Sequence, residues 1–375
     1  MRILCAVGAR PNFVKIAPIL RAFEQERARG AHVDVVLMHT GQHYDPALSD
    51  SFFADLEIRQ PDLNLGVGSG SHAEQTARVL TAAEVVLLDR RPDLLVVVGD
   101  VNSTLACALA AAKLLVPVAH IEAGLRSGDR TMPEEINRII TDAISDLCFT
   151  TCEEANGHLA REGVAAEKIF FVGNVMIDSL LRHRPHARAP ELAARLGLSP
   201  RSYALMTVHR PANVDRPEDA RVLLDMLEPL QQRIPVVLPA HPRTRAMLER
   251  HGLGDRLARL ERLHFIPPLG YSEFLYMMDR ARLVLTDSGG VQEETTVLGV
   301  PCLTLRENTE RAVTIHEGTN RLTGMLPAAV MEAVDQILRA GPPPARVPAL
   351  WDGHAATRIV DVVLRTWAKN RGLVS

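Results

Sequence analysis

Short apolar segments alternate along the chain with longer segments whose apolar positions recur at helical spacing. In the first half, the apolar segments rich in β-branched residues are 2–7, 32–40, 93–100, 116–123, 146–151 and 168–174. Helical periodicity lies between them, most clearly over residues 14–29 and 103–115. Strands that are apolar on both faces and alternate with helices are typical of a parallel sheet covered by helices.

The same alternation begins again in the second half of the chain. Its strand-like segments are 203–210, 234–242, 264–270, 281–290 and 301–307. Residues 183–202 are rich in proline, arginine and histidine and have no strand pattern, so we interpret them as a linker whose arginines face solvent. Residues 355–370 have helical periodicity and predict a terminal helix. The pattern predicts two α/β domains, each built on a parallel sheet.

Length and composition agree with that division. The 375 residues exceed one ordinary core, and a prior of about 150 residues per domain suggests two domains. Hydrophobic residues make up 47% and charged residues 23%, and the formal net charge of -3 indicates no nucleic-acid surface. The longest apolar window, residues 105–121, contains Lys113, Pro117 and His120 and is too short and too polar for a membrane span.

The cysteines and the start of the chain predict a compartment. Five cysteines are an odd number and lie mostly inside apolar segments, which predicts buried thiols in a reducing environment. Cys148 and Cys152 have CxxxC spacing without a second pair or a histidine cluster, so no metal site is expected there. Met1 leads directly into a strand-like segment rather than into the charged and apolar regions of a signal peptide. We therefore expect a cytoplasmic protein.

Polar residues follow the strand segments of the first half. Ligands of doubly wound sheets bind beyond the carboxyl ends of the strands, so these positions are the first candidates for a site. GARPNFVK follows the first segment and contributes the cations of Arg10 and Lys15. Asp100 ends the third segment, where it could equally cap the next helix. Glu122, near the end of the fourth, has no such structural explanation, and we interpret it as functional. Glu134 stands at a predicted helix start, where acids are also common for dipole reasons.

A glycine turn in the second half predicts an anion site. The sequence LVLTDSGGVQEE, residues 283–294, ends a strand at this turn and begins a helix. Such a helix directs free N–H groups and its positive dipole end at the turn, and phosphate is the commonest occupant. Glu293 and Glu294 place carboxylates beside it. Two further strand segments end in histidine and arginine, which favours an anion-facing cleft. The pairs are His209 with Arg210 and His241 with Arg243.

Several common nucleotide and hydrolase motifs are missing from the sequence. GxGxxG does not follow the first strand, and no Walker A, GxSxG or HExxH sequence occurs. The strand-end residues divide into acids in the first half and histidine, arginine and Ser-Gly-Gly in the second half. This division predicts acid and base groups that face phosphate-binding groups across an interdomain cleft.

Eight motifs, in this order, resemble the non-hydrolysing UDP-N-acetylglucosamine 2-epimerases: GARPNFVK, GQHYD, GDVNST, HIEAGLRS, MPEEINR, TVHRPANVD, TDSGGVQEE and ENTER. The resemblance covers roughly residues 1–325. It implies an α/β fold with two Rossmann-like domains in the glycosyltransferase-B arrangement and an interdomain active-site cleft. The domains would be residues 1–180, with a C-terminal helix over about 355–375 packing back on them, and residues 181–354.

The family interconverts UDP-GlcNAc and UDP-ManNAc without a metal or nicotinamide cofactor. No neighbouring carbonyl acidifies the C2 proton of the sugar, and the resemblance implies elimination of UDP to a glycal followed by re-addition of UDP. It also implies a small-molecule UDP-sugar as the partner, a homodimer, and a place in cell-surface polysaccharide precursor synthesis. Neither nucleic acid nor membrane is an expected partner.

The resemblance assigns roles to individual residues of this chain. Asp100, Glu122 and Glu134 match the acids that transfer protons at and around the sugar. His209 matches the catalytic-cleft histidine, which contacts the phosphate. The matches for UDP are Ser288, Gly289 and Gly290 for the diphosphate, Glu294 for the ribose, Arg311 for the nucleotide, Arg10 and Lys15 as first-domain cations, and Leu269 with Phe274 for uracil.

Three residues depart from the family pattern. Asn12 stands where many relatives have glutamate, and Ala312 replaces a frequent proline. Asp45 lies in the stretch where relatives activated by a second UDP-GlcNAc carry glutamine, which argues against such activation here. The alternatives to UDP-GlcNAc epimerisation are a 2-epimerase of a modified UDP-sugar such as a UDP-diacetamido-uronic acid, a UDP-sugar glycosyltransferase, and a non-catalytic UDP-sugar sensor. The sequence does not specify the C3 and C6 substituents of the sugar.

Overall fold

The structure is a computed structural model, and it describes residues 1–41, 56–210, 213, 215–240, 242–341 and 344–370. The chain divides into two compact units, residues 1–182 with 349–375 and residues 183–348. Each unit contains one sheet whose strands all pair in parallel, with helices between most consecutive strands. Both halves are therefore of the α/β class, as the alternation of apolar segments predicts.

Among its described residues, the first unit has a sheet of seven strands in the order β3-β2-β1-β4-β5-β6-β7. In chain order, β1 to β7 are Arg2–Val7, Asp34–His39, Leu63–Asn64, Leu94–Val98, Val118–Ala123, Leu147–Thr150 and Ile169–Phe171. Helices α1 to α6 are Arg10–Ala28, His72–Arg90, Asn102–Lys113, Pro133–Ala143, Glu153–Arg161 and Val175–His183. The strand order reverses between β1 and β4, which is the switch point where ligands bind in such sheets.

In the described part of the second unit, the sheet has six strands in the order β10-β9-β8-β11-β12-β13, with its switch point between β8 and β11. In chain order, β8 to β13 are Ala204–Thr207, Val236–Pro239, Leu263–Ile266, Leu283–Thr286, Cys302–Thr304 and Asn320–Leu322. Helices α7 to α14 are Pro190–Arg195, Pro217–Arg233, Pro242–Arg250, Gly254–Ala258, Tyr271–Arg280, Gly289–Leu298, Val313–His316 and Pro327–Ala340. Residues 183–202, expected as a linker, belong to this unit and contain α7 and the 3-10 helix Arg184–His186.

Apolar strand residues and the helix faces that cover them form the core of each unit. β4, with the sequence LLVVV, is buried along its whole length, as expected for a strand covered on both faces. α3 is rich in alanine, and its small side chains allow close packing against α2. The last helix, α15 over Ala355–Asn370, packs against α1. All five cysteines are buried and lie outside disulfide bonds, which confirms the prediction of buried thiols.

Two observed strands carry no apolar signal in the sequence. β3 has two residues, and β13 has the sequence NRL and lies at the edge of its sheet. Short edge strands join a sheet through backbone hydrogen bonds to one neighbour, so hydrophobic periodicity does not reveal them.

The two predicted internal helices are observed with slightly shifted ends. Residues 14–29 correspond to α1, and residues 103–115 correspond to α3. Helix ends fray and shift by one or more residues, whereas the periodic middle is well specified. Over the described ranges of the chain, no helix is long and apolar enough to cross a membrane.

Candidate active site

The side chain of Asn12 holds the turn between β1 and α1. Its Oδ1 accepts hydrogen bonds from the N–H groups of Gly8 (3.2 Å) and Ala9 (3.0 Å). Its Nδ2 donates to the carbonyl of Val98 at the end of β4 (2.9 Å). Asn12 thus ties the two strands together across the switch point. An ionised carboxylate can only accept, so a glutamate at this position would need different partners.

Lys15 and Glu122 form a buried ion pair at the same edge of the sheet, with side chains 7% and 4% exposed. The ammonium of Lys15 faces this carboxylate, and its predicted role as a nucleotide contact stays a prediction. Glu122 has a φ of 72°, and the pairing of β5 with β6 shifts register between Ile121 and Ala123. A non-glycine residue in this left-handed conformation costs about 1 to 2 kcal/mol. Such strain concentrates at functional sites, which supports the functional interpretation of Glu122.

Gly99 brings the end of β4 close to this ion pair. It has a φ of 69°, and a Cβ on it would lie 3.2 Å from Lys15 Nζ and 3.3 Å from Glu122 Oε2. Asp100 follows directly, and its carboxylate pairs with the guanidinium of Arg138 on α4. The side chain of Asp100 is 26% exposed, whereas that of Arg138 is buried. The structure therefore brings Asp100 and Glu122 to one edge of the sheet, where each faces a cation.

Asp100 does not cap the helix that follows it. Val101 occupies the N-cap position of α3, without a side-chain cap hydrogen bond. The backbone carbonyl of Asp100 accepts a hydrogen bond from Nδ2 of Asn137 on α4 (2.9 Å). Helix α4 thus holds Asp100 at two points, because Asn137 contacts its carbonyl and Arg138 contacts its carboxylate.

Glu134 and Glu135 are neighbours at the start of α4 but have different surroundings. Glu135 is buried and accepts hydrogen bonds from the N–H groups of Ser127 (3.0 Å) and Gly128 (2.9 Å) and from Arg138 Nη2 (2.6 Å). Burial alone would raise the pKa of Glu135, but these hydrogen bonds hold it below its ordinary value. Glu134 is half-buried and has no hydrogen-bond or ion-pair partner among the described residues. Glu135 therefore supports the fold, and Glu134 remains the candidate for chemistry.

In the second unit, the Ser288-Gly289-Gly290 turn stands at the start of α12, directly after β11. The N–H of Ser288 donates to the hydroxyl of Thr286 (3.0 Å), and the Ser288 carbonyl accepts from Gln292 Nε2 (3.2 Å). Ser288 is the N-cap residue and makes no side-chain cap hydrogen bond. The first N–H groups of this ten-residue helix are therefore available to an anion, as the sequence predicts.

Asp287 organises the end of β8, although it was not among the predicted site residues. Its fully buried carboxylate accepts from the N–H groups of His209 (3.0 Å) and Arg210 (2.8 Å) and from Asn213 Nδ2 (3.0 Å). It also lies 2.8 Å from His209 Nδ1. Burial alone would raise the pKa of Asp287, but the imidazole of His209 holds it below its ordinary value. Asp287 is thus ionised and orients the 42% exposed His209 ring. The signal that selected Asp100, an acid after an apolar strand, would also have selected Asp287.

Glu294 is a buried carboxyl group on α12, and Tyr271 of α11 donates a hydrogen bond to its Oε1 (3.0 Å). The pKa of Glu294 is raised to about 7, chiefly by burial. The hydrogen bond from Tyr271 lowers this pKa, and the nearby charge of Glu293 raises it further. Phe274 lies three residues after Tyr271, on the same face of α11, and Leu269 comes just before this helix. Both predicted uracil contacts are half-buried.

Arg311 lies against the glycine turn. Its guanidinium pairs with Glu310, and its Nε is 3.2 Å from Oε1 of Glu293. A Cβ on Gly289 would lie 2.5 Å from Arg311 Nη1 and 2.7 Å from its Cζ. Only glycine fits this close approach without displacing the guanidinium, whose positive charge adds to that of the helix N-terminus.

Some predicted positions lie outside the described residues. His241 is one, and residues 42–45 of the GQHYD motif, including Asp45, are others. The side chains of Arg10 and Arg243 are also outside the described part of the chain, although the backbone of Arg10 begins α1.

Each unit offers its own chemistry at the carboxyl edge of its own sheet. In the first unit, carboxylates face Lys15 and Arg138, an arrangement suited to proton transfer. The second unit offers groups for a phosphate that stands beside hydroxyl groups. The helix N-terminus and the guanidinium of Arg311 suit the phosphate, and the carboxyl group of Glu294 suits the hydroxyl groups. His209, held by Asp287, adds an imidazole at that edge.

Comparison with known proteins points to one family. Residues 25–364 match the family model described as UDP-N-acetylglucosamine 2-epimerase. A UDP-N-acetylglucosamine 2-epimerase of Methanocaldococcus jannaschii is 42% identical over 345 residues, which cover 90% of this chain and 92% of that protein. A UDP-2,3-diacetamido-2,3-dideoxy-D-glucuronate 2-epimerase of Pseudomonas aeruginosa is 42% identical over 337 residues, which cover 89% of this chain and 91% of that protein.

A solved structure matches the whole fold. The crystal structure of Methanocaldococcus jannaschii UDP-GlcNAc 2-epimerase in complex with UDP-GlcNAc and UDP has a TM-score of 0.88 and 40% identity to this chain. The match covers 97% of this chain and 100% of that chain. It confirms the predicted fold class of two parallel-sheet α/β domains of the glycosyltransferase-B type.

Proposed function

The chain belongs to the UDP-N-acetylglucosamine 2-epimerase family, whose members are isomerases, and from this premise we propose that it interconverts UDP-GlcNAc and UDP-ManNAc at C2 of the sugar. The proposed route eliminates UDP to give a glycal and then adds UDP back. The substrate and the product have the same oxidation state, so the net reaction transfers no electrons to a cofactor.

In the proposed first step, a carboxylate of the first unit takes the C2 proton while the bond between C1 and the UDP oxygen breaks. The electrons of the C2–H bond form the C1=C2 double bond of the glycal, and UDP leaves with the electron pair of the C1–O bond. In the return step, the UDP oxygen attacks C1 and C2 takes a proton on its opposite face. Epimerisation thus requires proton transfer on both faces of the sugar, for which Asp100, Glu122 and Glu134 are the proposed acids.

The second unit is proposed to hold UDP through departure and return. Negative charge grows on the diphosphate as the C1–O bond breaks, so groups that bind it more tightly at that moment accelerate the step. His209, oriented by Asp287, is proposed to donate a hydrogen bond to the departing phosphate. The other proposed UDP contacts are Ser288, Gly289 and Gly290, with Glu294, Arg311, Leu269 and Phe274, and the first-unit residues Arg10 and Lys15.

The buried Lys15–Glu122 pair beside Asp100 is the observation that carries this proposal. A glycosyltransferase or a UDP-sugar sensor needs a nucleotide site, but it does not need this set of acids around a sugar carbon. Proton NMR of UDP-GlcNAc with the purified enzyme in D₂O tests the difference. We expect UDP-ManNAc to form and deuterium to enter C2 of both sugars. Binding without exchange would indicate a sensor, and product formation only with an acceptor sugar would indicate a glycosyltransferase.

A second measurement tests the elimination itself. UDP-GlcNAc is prepared with ¹⁸O in the bridge between C1 and the β-phosphorus. If UDP departs and returns, the label spreads to the non-bridging oxygens of the β-phosphate, because the phosphate group rotates while it is free. Epimerisation with the label held in the bridge would contradict the glycal route and leave the epimerase activity intact.

The second candidate substrate is UDP-2,3-diacetamido-2,3-dideoxy-D-glucuronate. The Pseudomonas aeruginosa enzyme that acts on it is as similar to this chain as the Methanocaldococcus jannaschii enzyme, at 42% identity each. Both substrates carry the same UDP and differ at C3 and C6 of the sugar. Both are therefore assayed side by side in D₂O, and the substrate with the higher kcat/KM identifies the activity.

We also propose, from the family resemblance, a cytoplasmic homodimer that supplies precursors of cell-surface polysaccharides. Val85 and Leu88 are 67% and 56% exposed and lie three residues apart on α2, so they form an apolar face that a second copy would cover. Light scattering of the eluting protein on a sizing column should give the dimer mass. Replacement of both residues by glutamate should give the monomer mass; an unchanged dimer would place the interface elsewhere.

A further inference from the structure

His120 and Asp142 form a buried pair beside the candidate acids, and neither has a part in the proposed proton transfers. His120 lies in β5, and Asp142 lies in α4. Their side chains are 0% and 1% exposed, and His120 Nδ1 is 2.6 Å from Asp142 Oδ1. Burying such a pair costs desolvation that its own contact scarcely offsets, so a purely apolar contact here would serve stability at least as well.

The hydrogen bonds of His120 determine its protonation. Its Nε2 lies 2.8 Å from the carbonyl oxygen of Gly99, which can only accept, so Nε2 carries a proton. Nδ1 faces Asp142, whose Oδ2 also pairs with the Arg126 guanidinium. The ring therefore bridges the Gly99 carbonyl and the Asp142 carboxyl group.

Through these contacts the pair reaches both strand ends that carry the candidate acids. His120 holds the carbonyl of Gly99, the residue before Asp100. Asp142 Oδ2 accepts from the N–H of Gly124, two residues after Glu122 (3.0 Å). The buried pair thus contacts the backbone close to both candidate acids, at Gly99 and at Gly124.

We propose that His120 and Asp142 are positioning residues that hold Asp100 and Glu122 at the spacing the proton transfers require. The inference rests on the proposed function, because it assigns the acids their use. The hydrogen bond from His120 Nε2 prevents rotation of the Gly99 peptide and thereby fixes the direction in which Asp100 leaves β4. A displacement of about 1 Å at a reacting group costs roughly 100-fold in rate. Residues that fix the backbone beside the acids therefore affect the rate even though they do not contact the substrate.

Two substitutions of the same residue test the proposal. The amide nitrogen of glutamine in His120→Gln reaches the place of Nε2 and keeps a donor toward Gly99. The amide nitrogen of asparagine in His120→Asn reaches the place of Nδ1 and loses that donor. We expect kcat to fall about 100-fold in His120→Asn with KM nearly unchanged, and to recover at least about ten-fold in His120→Gln. The matched control, exposed His32→Asn, should keep wild-type kcat.

The readouts separate positioning from general support of the fold. For both variants, we measure UDP affinity and the midpoint of thermal unfolding. In the proposed function, the second unit supplies the UDP affinity. Wild-type kcat in His120→Asn would overturn the proposal. Equal losses of kcat, UDP affinity and stability in both variants would also overturn it, because they would show a structural role only.

A measurement on the unliganded wild-type protein is independent of turnover. A long-range ¹H–¹⁵N spectrum of the histidine rings should show Nε2 of His120 protonated. The His120 signals are assigned by their loss in His120→Asn or, if that variant does not fold, in His120→Gln. A ring with a bare Nε2 would overturn the proposal even if the enzyme epimerises UDP-GlcNAc. A protonated Nε2 in an enzyme that turns over neither candidate UDP-sugar would support the positioning contact and refute the proposed function instead.

Discussion

The ammonium of Lys15 and the carboxylate of Glu122 face each other inside the first unit, although the two residues are 107 positions apart in the sequence. Neither side chain is more than 7% exposed. The attraction between buried charges does little more than offset their desolvation, so the pair adds little net stability. Glu122 itself has a strained backbone, and the pair lies beside the end of β4, which is better explained by function than by folding.

Removal of one partner from this pair should destabilise the first unit. Lys15→Met takes away the ammonium and leaves Glu122 buried opposite an apolar side chain. We expect the free energy of unfolding to fall by about 3 kcal/mol, measured by urea unfolding at pH 7. Lys113→Met at the exposed end of α3 is the control and should cost less than about 1 kcal/mol. A Lys15→Met protein as stable as the wild type would show that the two charges are not coupled.

Asp100→Asn should abolish epimerisation and preserve UDP binding. The amide keeps the shape of the side chain but cannot exchange a proton at neutral pH, so kcat should fall by at least about 100-fold. The dissociation constant for UDP, measured by calorimetry, should change by less than about three-fold, which corresponds to under 1 kcal/mol. Asp89→Asn changes a 72% exposed carboxylate of the same unit and serves as the control. Near-normal turnover in Asp100→Asn would remove Asp100 from the catalytic residues.

Gly289→Ala should weaken the binding of UDP. The added Cβ would lie 2.5 Å from Arg311 Nη1 and 2.9 Å from Glu310 Oε1, so it must displace their ion pair. Overpacking of this kind costs about 1 to 3 kcal/mol, which corresponds to roughly five-fold to 140-fold in the dissociation constant. Gly254→Ala adds a methyl group with no heavy atom within 4 Å and is the matched control. Equal UDP affinity in the two variants would contradict the assignment of the diphosphate turn.

Glu294→Gln should change how stability depends on pH. The pKa of Glu294 is raised from 4.5 to about 7, first by burial, so the folded state binds a proton that the unfolded state has released between these values. The free energy of unfolding therefore falls as pH rises through this range, by about 3 kcal/mol at most. The amide mimics the neutral form and cannot ionise. Urea unfolding at pH 5 and pH 8 should show a smaller loss in Glu294→Gln than in the wild type. Parallel losses in the two proteins would indicate an ordinary pKa for Glu294.

The position of the candidate site could be predicted from local sequence. Asp100 and Glu122 were selected because they lie at the ends of apolar strands, and parallel strands end at one edge of their sheet. His209 and the Ser288–Gly290 turn were selected by the same rule, and in the structure they meet through Asp287. The roles of these residues in the reaction stay predictions for the variants above to test.

The partners of these residues could not be predicted. Arg138 is 38 positions from Asp100, and Asp287 is 78 positions from His209. Sequence shows that a residue is charged, but not which opposite charge it meets, because that depends on strand order and on the rotation of each helix. His120 illustrates the limit: in the sequence it interrupts an apolar window and opens the HIEAGLRS motif, and only the structure shows that its ring contacts the carbonyl of Gly99, the residue before Asp100.

The sequence by itself determined the two α/β units, the carboxyl edges of their sheets, and the family. These follow from hydrophobic periodicity, from polar residues directly after apolar strands, and from the order of short motifs, all of which are local properties of the chain. The tertiary structure alone decided that Asn12 ties β1 to β4, that Lys15 faces Glu122, and that Glu135 supports the fold while its neighbour Glu134 does not. Those relationships depend on distances of a few ångström between segments far apart in the chain, and only packing sets such distances.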